Sequence, residues 1–142
     1  MLSLMALAMI ITDSSGPTPC PGKTTIEVNA CFAARFVEAD ADLNRYYNMA
    51  IQRARKESGT DAAHGLVQAE RSWLSYREAE CSAAYEKYRG GTIRTSMENG
   101  CRIRLTHIRT YMIWRDWLTY PDSTPPLLPR PAIDNALSDG RG

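Results

Sequence analysis

Proline sits only at the two ends of this chain. Pro17, Pro19 and Pro21 come at the front, and Pro121, Pro125, Pro126, Pro129 and Pro131 at the back, so residues 22–120 contain none. Proline removes an amide donor and clashes with the preceding helical turn, so a block this long without it is free to run as long helices. Within it no stretch alternates with period two, and no Asn-Gly or Asp-Gly pair joins two β-rich runs. The chain therefore reads as all-α, an antiparallel bundle of three main helices with disordered ends.

Each helix has its own signals. Thr24 followed by Glu27 is a capping box that opens the first. Val28, Cys31, Phe32, Val37, Leu43, Tyr46, Tyr47, Ala50, Ile51 and Ala54 supply its apolar face, and Gly59 its stop. Asp40 and Asp42 compete for backbone amides and mark a candidate bend. The second helix starts near Asp61, with Val67, Leu74, Cys81 and Tyr88 spaced by seven, and ends at Gly90-Gly91. The third follows Ser96 as a cap, carries Cys101, Leu105, Ile108 and Met112 on one face, and stops at Pro121.

The ends read differently. Residues 1–19 begin with an uncharged apolar run, Met1–Ile11, too short to span a bilayer and the right length for the core of an export signal. No Lys or Arg precedes Lys23, so the usual basic front of such a signal is missing. Residues 20–120 form the domain. Residues 121–142 offer few apolar side chains against five prolines and are expected to be a disordered tail. Pro126-Leu-Leu-Pro129 fits a PxxP pattern, read here as spacer.

Four cysteines, Cys20, Cys31, Cys81 and Cys101, are an even set in a chain read as exported, so two structural disulfides are expected. Three pairings exist in principle. Locality favours Cys20–Cys31 and Cys81–Cys101. Zinc is not expected, because no Cys-x-x-Cys or His-x₃-His spacing accompanies His64 or His107. Thr18-Pro19 before Cys20 is a poor lipobox, so lipidation is not expected either.

Longer motifs carry a resemblance. They are Thr24-Thr25-x-Glu27-x-Asn29-x-Cys31, then Ala39-Asp40-x-x-Leu43-Asn44-x-x-Tyr47, then Gln68-Ala69-x-Arg71-x-Trp73-x-x-Tyr76-Arg77-x-x-x-Cys81, then Gly90-Gly91-Thr92, Cys101 and Thr106-x-x-Arg109. From about Cys20 to about Ile113 the chain resembles the LprI-type lysozyme-inhibitor family, small exported bacterial proteins. The resemblance implies a helical, disulfide-bearing periplasmic or secreted domain with a protein partner, for some members a lysozyme.

Two groups of residues are singled out. Asp40, Asn44, Arg77, Glu78 and Arg109 are polar positions among apolar faces. They are expected to form a structural network in which Arg77 and Arg109 bridge helices through Asp40 or Glu78. Arg89, Gly90, Gly91, Thr92 and Arg94 lie on a loop between two helices, with a disulfide expected beside it. They are the candidate partner-binding site, the arginines addressing a lysozyme's catalytic carboxylates.

Charge and motifs limit the alternatives. Lys and Arg total 17 against 16 Asp and Glu, a net charge of +1, which gives no case for nucleic acid. Without residues 1–19, which contain only Asp13, the charge is +2, so a basic lysozyme would not be steered from a distance. No Gly-x-Ser-x-Gly, P-loop or His-Glu-x-x-His occurs, and Glu78 and Glu80 point to different sides of a helix. No catalytic site, cofactor or metal is expected. The expected function is occlusion of a lysozyme cleft, and the alternative is a cell-envelope interaction module of the same fold.

Overall fold

The computed structural model describes residues 20–133. The expectations for residues 1–19, and for the tail beyond Ile133, lie outside that range. The described residues contain three long helices and no strand: α1 (Thr25–Arg53), α2 (Thr60–Lys87) and α3 (Arg94–Ile113). One π-helical turn extends α1 over Ala54–Ser58, and another extends α3 over Trp114–Leu118.

The capping box forms. Thr24 Oγ1 accepts from the Glu27 amide at 3.2 Å, and Glu27 Oε2 accepts from the Lys23 and Thr24 amides at 2.8 and 3.1 Å. The backbone bonds from Lys23 and then Thr24 hold the Glu27 carboxyl below its ordinary range. α1 runs unbroken through Asp40 and Asp42, so no interruption arises there. Gly59 separates α1 from α2 with φ 91°, a left-handed conformation that glycine adopts without a Cβ penalty.

Two other boundaries differ from the sequence reading. α2 ends at Lys87, with Tyr88 as its cap, before the glycine pair, and neither glycine has positive φ. Ser96 lies inside the first turn of α3, buried, and donates its hydroxyl to Asn29 Oδ1 on α1 instead of capping its own helix.

Partner spacing gives the topology. Pairs between α1 and α3 keep a nearly constant separation in sequence: 67 for Asn29–Ser96, 64 for Arg53–Trp117 and 66 for Arg53–Thr119. These helices are parallel. Between α2 and α3 the separation falls toward the connecting loop, from 39 for Glu70–Arg109 to 29 for Arg77–Thr106 and 20 for Cys81–Cys101. α2 is therefore antiparallel to α3, and the bundle turns at Gly59 and again at residues 88–93. α3 packs on both other helices, which touch each other little.

The apolar core gathers toward the Gly59 end. It contains Leu43, Tyr46, Ala50, Ile51, Leu66, Ile113 and Leu118, with Trp73, Trp114 and Trp117 packed against it. The other end is held covalently by Cys20–Cys31 and Cys81–Cys101, the two expected pairs.

The expected apolar faces are rotated in two helices. On α2 the buried residues are Ala63, Leu66, Glu70, Arg77 and Cys81, while Leu74 is exposed. On α3 they are Ser96, Asn99, Cys101, Thr106, Thr110 and Ile113, while Met112 is exposed. Val37, expected inward on α1, is 67% exposed.

The proline-rich segment also departs from expectation over residues 121–133. It lies along the bundle, with Leu128 against the core and Ile133 buried. The Leu127 amide donates to Leu118 O at 2.9 Å. Its prolines are ordered at little entropic cost, because their φ is already fixed, so few apolar contacts suffice.

Removing the Cys81–Cys101 cross-link tests the division between the two ends. Closing the 20-residue span of Cys81–Cys101 is worth about 3 kcal/mol in the chain-entropy model. A Cys81→Ser/Cys101→Ser variant is expected to lose about that much in chemical denaturation, without a change in helix content by circular dichroism.

Candidate functional site

A buried guanidinium lies at the meeting point of the three helices. The Arg77 side chain, 7% exposed, donates from NH1 to Asp40 Oδ1 on α1 at 2.8 Å and to Thr106 Oγ1 on α3 at 3.0 Å. Its Nε donates to the neighbouring Glu78 at 3.2 Å. Phe36 and Trp73 each hold a ring face 5.0 Å from the same guanidinium. A planar cation with several fixed donors suits this role, since it bonds at its edge while its faces stack on rings.

The same alternation continues outward. Arg102 lies 5.8 Å from the Phe36 ring and bonds Glu78 Oε2 at 2.8 Å, with Glu98 at 3.1 Å. Arg109 lies 5.8 Å from the Trp73 ring and donates from Nε to Glu70 Oε2 at 2.9 Å. Three arginines and two rings thus form a ladder through the bundle, each cation held by a carboxylate.

The structure places the five network residues as follows. Asp40, Arg77 and Glu78 come together. Arg109 pairs with Glu70 and not with Asp40 or Glu78. The Asn44 side chain is exposed and does not join them. Its place is an open cleft of about 370 Å³ between α1 and α2, which it lines with Asp40, Tyr47, Glu70 and Arg71. The carboxylates there are engaged from behind by Arg77 and Arg109. Burial, and after it the Glu70 charge, pushes the Tyr47 phenol up.

Sequence reasoning did not assign Glu70, Arg102 or Thr106, the last quoted only as part of a motif, to the network. The signal for Glu70 and Arg77 was their spacing of seven, on the same helical face as Cys81. It was hidden because a search for apolar periodicity discards charged residues.

The loop presents a different surface. Arg89, Gly90, Gly91, Thr92 and Arg94 are all exposed. Arg89 is paired with Glu86, its Nε at 2.6 Å from Oε2. Arg94 lies 4.9 Å over the Tyr85 ring. Ile93 and Met97 beside them are 50% and 37% exposed. The first turn of α3 has neither a side-chain cap nor an acidic residue. The positive end of the helix dipole therefore adds to the Arg94 charge here, while Glu86 offsets that of Arg89. Cys81–Cys101 closes the hairpin just behind the loop.

The sequence matches the family described as lysozyme inhibitor LprI over residues 19–112. The chain belongs to the LprI lysozyme-inhibitor family. Among curated proteins it is similar to the uncharacterized protein R02472 of Rhizobium meliloti (strain 1021), 32% identical over 120 residues, covering 77% of this chain and 86% of that one. No solved structure matches it significantly. The matched stretch contains all four cysteines, the Arg77 network and the 89–94 loop. No group of three or more His, Cys, Asp or Glu able to hold a metal occurs among the described residues, and no helix there is long and apolar enough to cross a membrane.

Two measurements follow from this geometry. Arg77→Ala leaves Asp40 and the fully buried Thr106 without their donor and opens a gap between two rings. It is expected to cost about 3 kcal/mol. Arg77→Lys should recover less than half of that, because one ammonium cannot serve two partners and stack on two rings; a normal melting temperature for either variant would refute the network. Burial lowers the His107 pKa, partly opposed by the Asp42 charge. A lowered histidine favours folding fully above its unfolded pKa near 6.5, and that stability drains away as pH falls through this value toward the folded pKa. Melting temperature should thus drop between pH 7 and pH 5, and His107→Asn should flatten the drop.

Proposed function

We propose that this protein is exported from a bacterial cell and inhibits a lysozyme by seating its 89–94 loop over the enzyme's catalytic cleft. The observation that carries the reading is the uncompensated positive end of α3. Arg94 stands beside an uncapped, acid-free helix N-terminus, with Arg89 next to it held by Glu86, on an exposed loop framed by a disulfide. Enzymes that cleave glycosidic bonds use a pair of carboxyl groups in an open cleft. A guanidinium presented to that pair forms charge-assisted bonds, while Ile93 and Met97 exclude water around them.

Membership of an inhibitor family supports a protein partner and a binding role, not turnover. Two disulfides support a compartment outside the cytoplasm. Cys20 shares its sulfur with Cys31, which leaves no thiol there for a lipid. The near-neutral net charge argues that the contact is held by short-range fit and not by long-range attraction.

A cell-wall lysis assay tests this reading. Lysozyme is titrated with the oxidised protein, with a reduced and alkylated sample as control. Saturable inhibition lost on reduction is expected. Arg89→Glu/Arg94→Glu should weaken inhibition at least ~10-fold, about 1.4 kcal/mol, with an unchanged melting temperature. No inhibition by a folded, oxidised sample would overturn the reading in favour of a cell-envelope module of the same fold.

A further inference from the structure

At the Gly59 end of the bundle, away from the loop, two aromatic side chains donate to the main chain of the proline-rich segment. The Tyr46 hydroxyl donates to Pro129 O at 2.7 Å, and Trp114 Nε1 donates to Leu128 O at 2.9 Å. The Tyr111 ring stands 5.6 Å from the Trp114 ring, and the Arg130 guanidinium lies 5.5 Å over Tyr111. We infer that the face made by Tyr46, Tyr111 and Trp114 is a receptor for proline-rich peptides that bend at an aliphatic pair, which the chain's own residues 125–131, bent at Leu127 and Leu128, occupy in cis.

The chemistry of both partners supports it. Proline has no amide hydrogen, so a proline-rich segment offers chiefly carbonyls, and a receptor must bring the donors on its side chains. Tyrosine hydroxyls and indole N–H groups set among ring faces meet that need. Here both donors reach backbone carbonyls, so these bonds tolerate any side chain on the guest. The guest is also stiff. Of residues 125–131, four are proline, and Leu128 and Arg130 each precede one; only Leu127 escapes both restrictions. Such a segment loses little entropy on docking.

The occupant is held lightly enough to exchange. Pro125, Pro126, Pro129 and Arg130 remain exposed, and its apolar anchors are Leu128 and the more distant Ile133. Trp114 and the whole segment lie beyond residue 112, where the family match ends, so the lysozyme-inhibitor relationship does not account for them. The guest that fits is a segment of another protein with an aliphatic pair between prolines and a basic residue after them, as in Pro126-Leu-Leu-Pro129-Arg130.

The test uses the full chain and follows the Trp114 indole N–H resonance by NMR. A synthetic peptide of residues 121–133 is titrated in, beside a control peptide with serine at every proline. A short tether gives the resident segment a millimolar effective concentration, so millimolar peptide should shift the resonance in the unaltered chain. Leu128→Gly/Pro129→Gly loosens the resident segment and should lower the peptide concentration needed at least ~10-fold. If that variant fails to fold by circular dichroism, the unaltered chain decides. An indole resonance unmoved by millimolar peptide in every folded chain, or moved equally by the serine control, would overturn the inference.

Discussion

A charge buried among three helices must be satisfied on every side, and Arg77 is such a charge. An unpaired cation in an apolar interior costs several kcal/mol, so the fold is stable only in the arrangement that brings Asp40, Thr106 and two ring faces to one guanidinium. That requirement fixes register. Sliding α2 by one helical turn along α3 would carry Arg77 away from Thr106, Glu70 away from Arg109 and Cys81 away from Cys101 together. Apolar contacts are tolerant of such slips; directional polar contacts are not. Because α1 and α2 touch little, the Asp40–Arg77 bond is also a main tie between them.

The two ends of the bundle are stabilised by different physics. Large buried apolar residues concentrate between Gly59 and the middle of the helices. Toward the loop the buried set shrinks to Ala39, Ser96, Asn99 and the cystine Cys81–Cys101. Cross-links there replace the apolar core that a chain of this size cannot extend over its whole length. The loop is framed by Cys81–Cys101, so the binding role proposed for it would depend on that cross-link. The Gly59 end is covered instead by a proline-rich segment with little entropy to lose.

Helix number, the first capping box and both disulfide pairs were legible because they depend on local signals: absent prolines, a Thr-x-x-Glu box and cysteine spacing. The inward faces of α2 and α3 were not. Periodicity counts apolar residues, whereas these helices bury Glu70, Arg77, Asn99, Thr106 and Thr110. Thr110 hides its hydroxyl by donating to Thr106 O at 2.9 Å, so it packs as a small apolar residue while reading as a polar one. Arg77 was recognised as a bridge, but the partner of Arg109 was not, because Glu70 meets it only after the α2–α3 hairpin closes. The ordering of residues 121–133 was missed for a related reason. Counting apolar residues ignores carbonyls that Tyr46 and Trp114 can bond.

Net charge proves a poor guide to what the surface presents. Several arginines are engaged within the fold: Arg53 caps the end of α3 through the Trp117 and Thr119 carbonyls, and Arg77, Arg102 and Arg109 are neutralised in place. A chain near neutrality can still offer a locally positive loop, and within a Debye length of about 8 Å only that local charge matters to a docked partner. The absence of steering then lowers the association rate without weakening the bonds made after contact. For an inhibitor that occludes a cleft, residence time is set by those bonds and by how little the loop must be ordered on binding. The disulfide behind residues 89–94 bears on the second of these, and Arg94 beside the uncapped end of α3 bears on the first.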